Sequence, residues 1–298
     1  MLKKTLTILL TLALTLSFAS CTKKAESTKP DTENDVLTVV ISNDISTLDP
    51  HDTTTFPHHQ VTRQIYETLV VRDENGELIP WLAESWEYEN DVTILMKLRQ
   101  GVKFHNGEEM KASDVLFSLR RMLDDNTTAA MQVSHLVLDK CEEIDEYTVR
   151  IVTDEPSAMQ LAMLENPLAC IISEKSYNES NGDFFKAPVG TGPYKFVSYD
   201  AGDKVELTAN EEYWVKDEPH IPNIVFRIIT DSSSRAIEAE SGNADIVYDI
   251  GANDVDRISA NPNINLVRGL GMNTSYITFN TAKKPLDDIR VREAIWYA

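Results

Sequence analysis

The chain has 298 residues, of which 42% are hydrophobic, so it is long enough for about two domains and can fill a sizeable core. Its formal net charge is -20, with 48 acidic against 28 basic residues. This balance argues against nucleic acid as a partner, because phosphate binding needs a basic face.

The first segment of the chain is typical of an export signal. The opening MLKK supplies positive charge ahead of an apolar stretch of about 14 residues, 6–19, well below the roughly 20 that span a bilayer. We therefore predict a signal peptide over residues 1–20 rather than a permanent transmembrane helix. FASC resembles the lipobox of bacterial lipoproteins, in which the cysteine, here Cys21, is lipidated and becomes the first mature residue. Phe18 departs from the usual leucine, and an ordinary signal peptide with an incidental cysteine is the alternative.

Residues 21–35 contain no large apolar side chain and are predicted to form a flexible tether, so that order begins at Val36. The expected location is outside the cytoplasm, in the periplasm or on the outer cell surface, with a membrane anchor through lipidated Cys21. An oxidising compartment would permit a disulfide between Cys141 and Cys170. Neither cysteine lies in a CxxC motif or beside a histidine, so a catalytic or metal-binding role has little support.

The rest of the chain mixes patterns typical of strands with patterns typical of amphipathic helices. Strands are predicted at 36–42, 92–98, 147–153, 194–199, 204–209, 244–250 and 275–280, the fourth and fifth of them as a hairpin. Helices are predicted at 58–71, 113–123, 232–241 and from about 287 onward. Because no internal repeat accompanies this mixture, it indicates an α/β protein with strands in more than one sheet.

The sequence also makes specific predictions for the start of one helix and the end of another. Ser113 is expected to cap the second helix, with Asp114 favourably placed in its first turn. The last helix has no glycine, asparagine or proline to end it before Ala298. The chain is therefore expected to be cut within this element.

A glycine-rich segment, KAPVGTGPYKFV at 186–197, raises the possibility of a nucleotide site. A phosphate-binding loop needs four residues between its glycines, followed by lysine and serine or threonine at the start of a helix. Gly190 and Gly192 are only two apart, Pro193 lacks an N–H group, and the following residues are strand-like. The dinucleotide fingerprint also fails without a third glycine. We expect a tight turn that leads into a strand, with glycine chosen for its permissive backbone angles.

Several long motifs occur in a fixed order along the chain. They are LDP at 48–50, IYETLVVRDENGELIPWLAESWE at 65–87, LRQGVKFHNGEEMKASDVLFSLRRM at 98–122, GTGPYKF at 190–196, SGNADI at 241–246, and FN followed by PLDDIRVREAI at 285–295. Together they resemble the family 5 extracellular solute-binding proteins, the receptors of ABC importers for peptides, nickel and related solutes. The resemblance runs from about Val36 to Ala298.

The resemblance implies an α/β, periplasmic-binding-protein type II-like fold with two lobes that close on a solute. Residues 36–270 would form the first lobe, and 271–298 would form the strand that crosses to the second lobe and the start of that lobe. Family members are much longer, so the rest of the second lobe is expected beyond Ala298, and the chain is expected to be a truncated product or a fragment. The partners implied are a peptide or other small solute and permease subunits, with ATP used by a separate subunit.

Alignment of these motifs places the expected ligand-binding residues in three segments. They are Asn43, Asp44 and Ile45 before LDP, Tyr248, Asp249 and Ile250 after ADIV, and Tyr276 on the crossing strand. Each has a structural alternative, since the first group could simply form a turn and the tyrosines could be core aromatics.

A receptor of this kind needs hydrogen-bonding backbone and a few polar or aromatic walls, and no nucleophile or cofactor is expected. An oligopeptide is the first ligand expected, with a nickel chelate or an oligosaccharide as alternatives, because the scaffold alone does not determine specificity. A surface interaction or sensing lipoprotein without transport is the alternative function. A secreted hydrolase would be a third class.

Three other groups of residues could suggest a metal site or an enzyme active site. His51, His58 and His59 could suggest a metal site, but adjacent histidines on a helix point to different sides. We therefore expect no metal. Trp81, Glu84 and Trp86 could suggest a sugar platform, but a glycosidase needs two carboxylates across one cleft, which neighbours on one helix do not establish. A hydrolase triad built on His105 and Asp114 lacks a serine or cysteine nucleophile.

Overall fold

The computed structural model describes residues 36–52, 54–124, 127–269 and 276–298. The expected signal peptide, Cys21 and the tether lie outside these ranges. Within them, no helix is both long and apolar enough to cross a bilayer. The proposed division between a first lobe at 36–270 and a crossing segment at 271–298 stays a prediction.

The described residues form strands and helices of ordinary length. The strands are β1 (Val36–Ile41), β2 (Val70–Arg72), β3 (Leu78–Pro80), β4 (Ala83–Asn90), β5 (Thr93–Leu98), β6 (Glu142–Asp145), β7 (Thr148–Val152), β8 (Tyr194–Asp200), β9 (Lys204–Ala209), β10 (Asn223–Ile228) and β11 (Ile246–Val247). The α-helices are α1 (Phe56–Ile65), α2 (Ala112–Asp124), α3 (Glu174–Glu179), α4 (Ser232–Ser241), α5 (Val255–Ser259) and α6 (Ile289–Tyr297). Short 3₁₀ segments are Thr128–Met131, Leu138–Lys140, Ala162–Leu164, Pro167–Ala169 and Phe184–Lys186.

A five-stranded sheet of the described residues has the order β11-β1-β10-β9-β8. Strand β1 is parallel to both of its neighbours, with Ile41 opposite Ile228 and Val40 opposite Val247. The antiparallel hairpin β8–β9 extends the sheet beyond β10. Helix α4 connects β10 to β11, as expected for parallel strands that need a crossover. The carboxyl ends of β1, β10 and β11 consequently meet at one edge of the sheet.

A second sheet, with the order β4-β5-β7-β6, is antiparallel throughout. The apolar stripe of α2, which includes Val115, Leu119 and Met122, shares one buried cluster with Met96 and Ile151 of this sheet. A separate buried cluster joins α1 to the five-stranded sheet. The described residues therefore form two apolar cores, each built from a sheet and a helix, which is the usual two-layer arrangement.

Several predicted elements are confirmed with small shifts at their ends. These are the strands at 36–42, 92–98 and 147–153, the hairpin at 194–209, the helix at 232–241, and the final helix, which begins at Ile289. Asp231 caps α4 by accepting a hydrogen bond from the Ser234 N–H group at 2.8 Å. Gly242 ends the helix in a left-handed conformation.

The predicted cap of α2 was wrong. The helix already begins at Ala112, so Ser113 lies inside it. Asp114 instead accepts from the backbone N–H groups of Lys111 at 2.9 Å and Glu174 at 3.0 Å. Its carboxylate thus satisfies donors at the starts of both α2 and α3. Because the carboxylate is buried, desolvation raises its pKa, while the two hydrogen bonds oppose the rise.

Two predicted strands and one predicted helix also need correction. The strand expected at 244–250 contains only Ile246–Val247, because a left-handed backbone at Asp249 (φ 56°) ends the extended run. Residues 276–280 are irregular, since no described strand pairs with them. The segment around Trp86 is strand β4 rather than helix, because it pairs with β5, with Trp86 opposite Met96.

The helix predicted at 58–71 ends early, at Ile65. The carbonyl oxygen of Ile65 accepts a hydrogen bond at 2.9 Å from the N–H group of Gly192, which takes the place of a donor from the next helical turn. Tyr66 is already extended, and residues 70–72 form β2. A contact distant in sequence thus decides where the helix stops.

The segment 189–193, which we call the glycine turn, is what meets the end of α1. An added Cβ at Gly190 would lie 2.0 Å from the Ile65 carbonyl oxygen, and one at Gly192 would lie 2.5 Å from that of Gln64. Neither glycine has a positive φ. The need for glycine therefore comes from close backbone approach, which corrects the expectation of permissive backbone angles.

His105 holds the other side of the glycine turn. Its backbone N–H group donates to Gly190 O at 2.9 Å, its Nε2 lies 2.9 Å from Gly192 O, and its Nδ1 accepts from the Gly190 N–H group at 3.4 Å. Burial lowers the pKa of His105 to about 4, which keeps the ring neutral. Val189 packs against both apolar clusters. The glycine turn thus joins the two halves of the described structure.

Replacing Gly190 with alanine should lower the free energy of unfolding by about 3 kcal/mol or more, because backbone atoms of α1 occupy the space that the new Cβ needs. Urea unfolding measures this change. Gly269→Ala is the matched control, since an added Cβ there meets nothing within 4 Å. Equal stability of the two variants would contradict the close approach.

Candidate functional site

The carboxyl ends of β1, β10 and β11 are the candidate site. In open α/β sheets, ligands bind in the crevice outside the carboxyl ends of parallel strands. The segments that follow these three strands are 42–45, 229–231 and 248–250, and together we call them the carboxyl edge. Two of them contain predicted ligand-binding residues.

Ser42 and Asp249 connect the ends of β1 and β11. The Ser42 hydroxyl donates to Asp249 Oδ2 at 2.6 Å, and the amide of Asn43 donates to Ser42 Oγ at 3.3 Å. The side chains of Asn43 and Asp249 are both exposed. The structure therefore brings together these two predicted residues, which are more than 200 positions apart in sequence.

Asp44 and Ile45 make hydrogen bonds and apolar contacts within the fold. The carboxylate of Asp44 accepts from the Tyr199 hydroxyl and from the Gly202 N–H group, both at 2.9 Å. The Ile45 side chain is buried in the apolar cluster, and its carbonyl oxygen accepts from Tyr199 at 2.6 Å. Desolvation raises the pKa of Tyr199 to about 12, with Asp44 adding to the shift. These contacts fasten the turn after β1 to the hairpin β8–β9.

An aromatic pair borders the carboxyl edge. The ring of Tyr248 meets the ring of Phe56 edge-on, with centroids 6.0 Å apart. Phe56 is 61% exposed although it is the first residue of α1, and Ile250 is half-buried. Tyr248 also packs against the buried cluster, so the exposed ring of Phe56 is the apolar surface that the pair offers, and it is suited to contacts with aliphatic or cationic groups.

Arg235 lies behind the carboxyl edge. Its side chain projects from α4 and is buried. Its guanidinium donates to the carbonyl oxygens of Ile229, Thr230, Tyr248 and Asp249 at distances between 2.7 and 3.3 Å. One side chain therefore binds the segments that follow both β10 and β11.

Sequence reasoning missed both Phe56 and Arg235. Phe56 could have been noticed as an aromatic residue that precedes the first buried position of α1 by one residue. Arg235 could have been noticed as a charged residue beside Ala236 on the buried face of its helix. Tyr276, which was predicted, is 80% exposed and has no hydrogen-bonding or ring partner among the described residues.

The three histidines that could have suggested a metal site, His51, His58 and His59, lie in two different environments. His51 Nε2 lies 2.9 Å from Cys170 O, and its Nδ1 lies 2.6 Å from the guanidinium of Arg121, which also pairs with Asp49. His58 is buried in α1, with the ring of His59 5.4 Å away. In the ranges that the structure describes, no three His, Cys, Asp or Glu side chains are grouped to hold a metal.

The two described cysteines are buried and free, so the disulfide that their number permits is not formed. Cys141 belongs to the cluster of the second sheet and Cys170 to that of the first. Desolvation raises the pKa of both thiols, that of Cys170 to about 12. Both side chains therefore act as small apolar groups.

A buried carboxylate, Glu67, explains the tryptophan-rich segment. It accepts hydrogen bonds from the side chains of Trp81 and Tyr213 at 2.7 Å each, and from Trp214 at 3.1 Å. Desolvation raises its pKa, and these donors oppose the rise. Trp81 is thus a donor inside the fold and not part of a sugar platform with Glu84, which is exposed.

Residues 77–298 match the family model described as bacterial extracellular solute-binding proteins, family 5 middle. The chain belongs to this family. The expected α/β fold of the periplasmic-binding-protein type is therefore confirmed, and the described residues form part of it. Family members are solute-binding receptors that work with ABC permeases.

Three similar proteins illustrate the range of the family. A di/tripeptide-binding protein of Pseudomonas aeruginosa is 32% identical, over 78% of this chain and 48% of its own. A glutathione-binding protein of Pectobacterium atrosepticum is 30% identical, over 87% and 51%. The periplasmic binding protein DppA of Helicobacter pylori, solved with the peptide STSA, superimposes with a TM-score of 0.80 at 30% identity, over 87% of this chain and 55% of its own. The chain spans about half the length of the curated relatives it matches.

The buried histidines should make stability fall as the solution becomes acidic. Burial lowers the pKa of His58 from 6.5 to about 4. Between these two values the ring is protonated in the unfolded chain and neutral in the folded chain. The contribution of His58 to the free energy of unfolding is complete above pH 6.5, and it should decrease by about 2 kcal/mol between pH 6.5 and pH 4.5.

Urea unfolding at these two pH values tests the effect. His58→Gln should lose a share of the pH dependence, and His220→Gln, a change at an exposed histidine, is the control. An unchanged pH dependence in His58→Gln would show that His58 titrates normally in the folded protein.

Proposed function

We propose that the chain captures peptides outside the cytoplasmic membrane and presents them to an ABC permease. The observation that supports this most strongly is the convergence of Asn43, Tyr248 and Asp249 at the carboxyl edge of a family 5 chain. Hydroxyl, amide and carboxylate groups lie there beside an aromatic pair. Such a surface can hydrogen-bond a peptide backbone and pack against its side chains without any chemical step.

The backbone of Asp44, Ile45 and Ile250 would line the same surface, because their side chains are bonded within the fold or partly buried. A contact from Tyr276 stays a prediction. The whole receptor would close on the peptide, and delivery would follow because the permease binds the closed form better than the open form. ATP would be used by a separate subunit.

Peptides are favoured over the other solutes by the relatives. One relative is named for di- and tripeptides, and the Helicobacter pylori structure contains the peptide STSA. A glutathione-binding relative adds a further peptide-like ligand.

Phe56→Ala should weaken the binding of a hydrophobic tripeptide by about tenfold, because an aromatic contact contributes on the order of 1 kcal/mol beyond its buried area. Isothermal titration of the full chain measures the dissociation constant. Tyr88→Ala is the control, since Tyr88 is an exposed aromatic of the second sheet. Equal weakening by both variants would place the site elsewhere, and an absence of peptide binding by the wild type would favour the surface interaction or sensing function.

We also propose that Cys21 carries the lipid anchor. Cys21→Ser should move the protein from the membrane fraction to the soluble fraction, because each buried methylene of a lipid chain contributes about 0.8 kcal/mol to membrane binding. Fractionation and intact mass measure the change, with Cys141→Ser as the control that keeps Cys21. A wild-type mass without lipid would support the ordinary signal peptide instead.

A further inference from the structure

The ends of three strands are linked through one buried side chain and one strained residue. Arg235 binds the segments after β10 and β11, and Ser42 binds Asp249 from the end of β1. These contacts form a continuous chain of hydrogen bonds across the carboxyl edge. A role for them in solute binding rests on the proposed function, because this edge is where we propose that the peptide binds.

The contacts of Arg235 depend on its fork-shaped guanidinium. Nη1 donates to Ile229 O and Thr230 O, both at 2.9 Å, while Nη2 donates to Asp249 O at 2.7 Å and Nε to Tyr248 O at 3.2 Å. A lysine ammonium is a compact charge with three donors, so it cannot bind both segments in this way. The site is therefore specific for arginine.

Asp249 needs such support because of its backbone. Its φ of 56° lies in the left-handed region, which costs free energy for a residue with a Cβ. Its carbonyl oxygen accepts from both Nε and Nη2 of Arg235. In this turn the carboxylate of Asp249 accepts a hydrogen bond from the Ser42 hydroxyl. The preceding residue, Tyr248, contacts the ring of Phe56.

We infer that Arg235 is a positioning residue for solute binding. It holds the backbone of 229–230 and 248–249 so that the carboxylate of Asp249 and the ring of Tyr248 are in place before a peptide arrives. Preorganisation of this kind strengthens binding because the solute does not have to order the edge itself. Arg235 acts through these residues and is not placed in contact with the peptide.

A second arginine provides a matched control. Arg227, on β10, pairs with Glu238 of α4 at 2.7 Å, so it connects the same strand and helix. Both hydrogen bonds of its guanidinium within the described residues go to the Glu238 carboxylate rather than to carbonyl groups of the carboxyl edge. Loss of Arg227 therefore removes an ion pair between the two elements while the edge keeps its support.

The test compares Arg235→Gln and Arg235→Lys with Arg227→Gln in the full chain. The Cα chemical shift of Asp249 reports the left-handed backbone, and titration with a tripeptide gives the dissociation constant. Both Arg235 variants should lose the left-handed shift and bind at least about tenfold more weakly. Arg227→Gln should keep the shift and bind within about twofold of wild type. Arg235 variants that keep the wild-type shift would overturn the inference, and so would variants that lose the shift but keep the wild-type affinity.

A second substitution separates positioning from general loss of stability. Glycine adopts a positive φ without support, so Asp249→Gly should remove the need for Arg235 at this residue. Arg235→Gln should therefore weaken peptide binding less with glycine at 249 than with aspartate there, since only the support of 229, 230 and 248 is then lost. If Arg235→Gln weakens binding equally with aspartate or glycine at 249, the inference is wrong.

Failure of the proposed function and failure of this inference would give different results. If the wild-type chain binds no peptide, the proposed function fails. The chemical shift of Asp249 in the Arg235 variants still decides whether Arg235 holds the edge, since that measurement needs no ligand.

Discussion

The close backbone approach of Gly190 and Gly192 to the end of α1 is the constraint on which the rest of the structure depends. It stops the helix at Ile65, and Val189 in the same turn packs against both apolar cores. A ten-residue helix spans about 15 Å, so fixing its last turn also fixes its first residue. That residue is Phe56, which meets Tyr248 at the carboxyl edge. A packing requirement at one end of α1 thus positions an aromatic side chain at the other.

The carboxyl edge combines polar groups, whose backbone is held by the buried Arg235, with the aromatic side chains of Phe56 and Tyr248. Arg235 binds carbonyl oxygens of the segments after β10 and β11, and the Ser42 hydroxyl joins Asp249 to the end of β1. Polar and aromatic groups of this kind can bind and orient a solute, and a receptor that releases its solute unchanged needs nothing more. Membership of family 5 and this geometry therefore support the same proposed function.

Local patterns were enough to predict the elements whose boundaries depend on nearby residues. Strand β1 has a β-branched run, and α4 has both an aspartate cap and a terminal glycine, so each was predicted closely. The end of α1 was missed because the N–H group that binds the Ile65 carbonyl oxygen belongs to Gly192, more than 120 positions away. The same limit applies to the site. The motifs indicated Asn43 and Asp249, but the importance of Arg235 is visible only from the carbonyl groups that folding brings around it.

The most direct test of the proposed site is chemical-shift mapping of the isotopically labelled full chain during titration with a tripeptide. Solute binding at the carboxyl edge predicts that the largest changes occur at residues 42–45, at Phe56 and at 248–250. Exposed residues of the second sheet, such as Tyr88, should change little. Changes concentrated on that sheet, or no changes at saturating peptide, would contradict the proposed site.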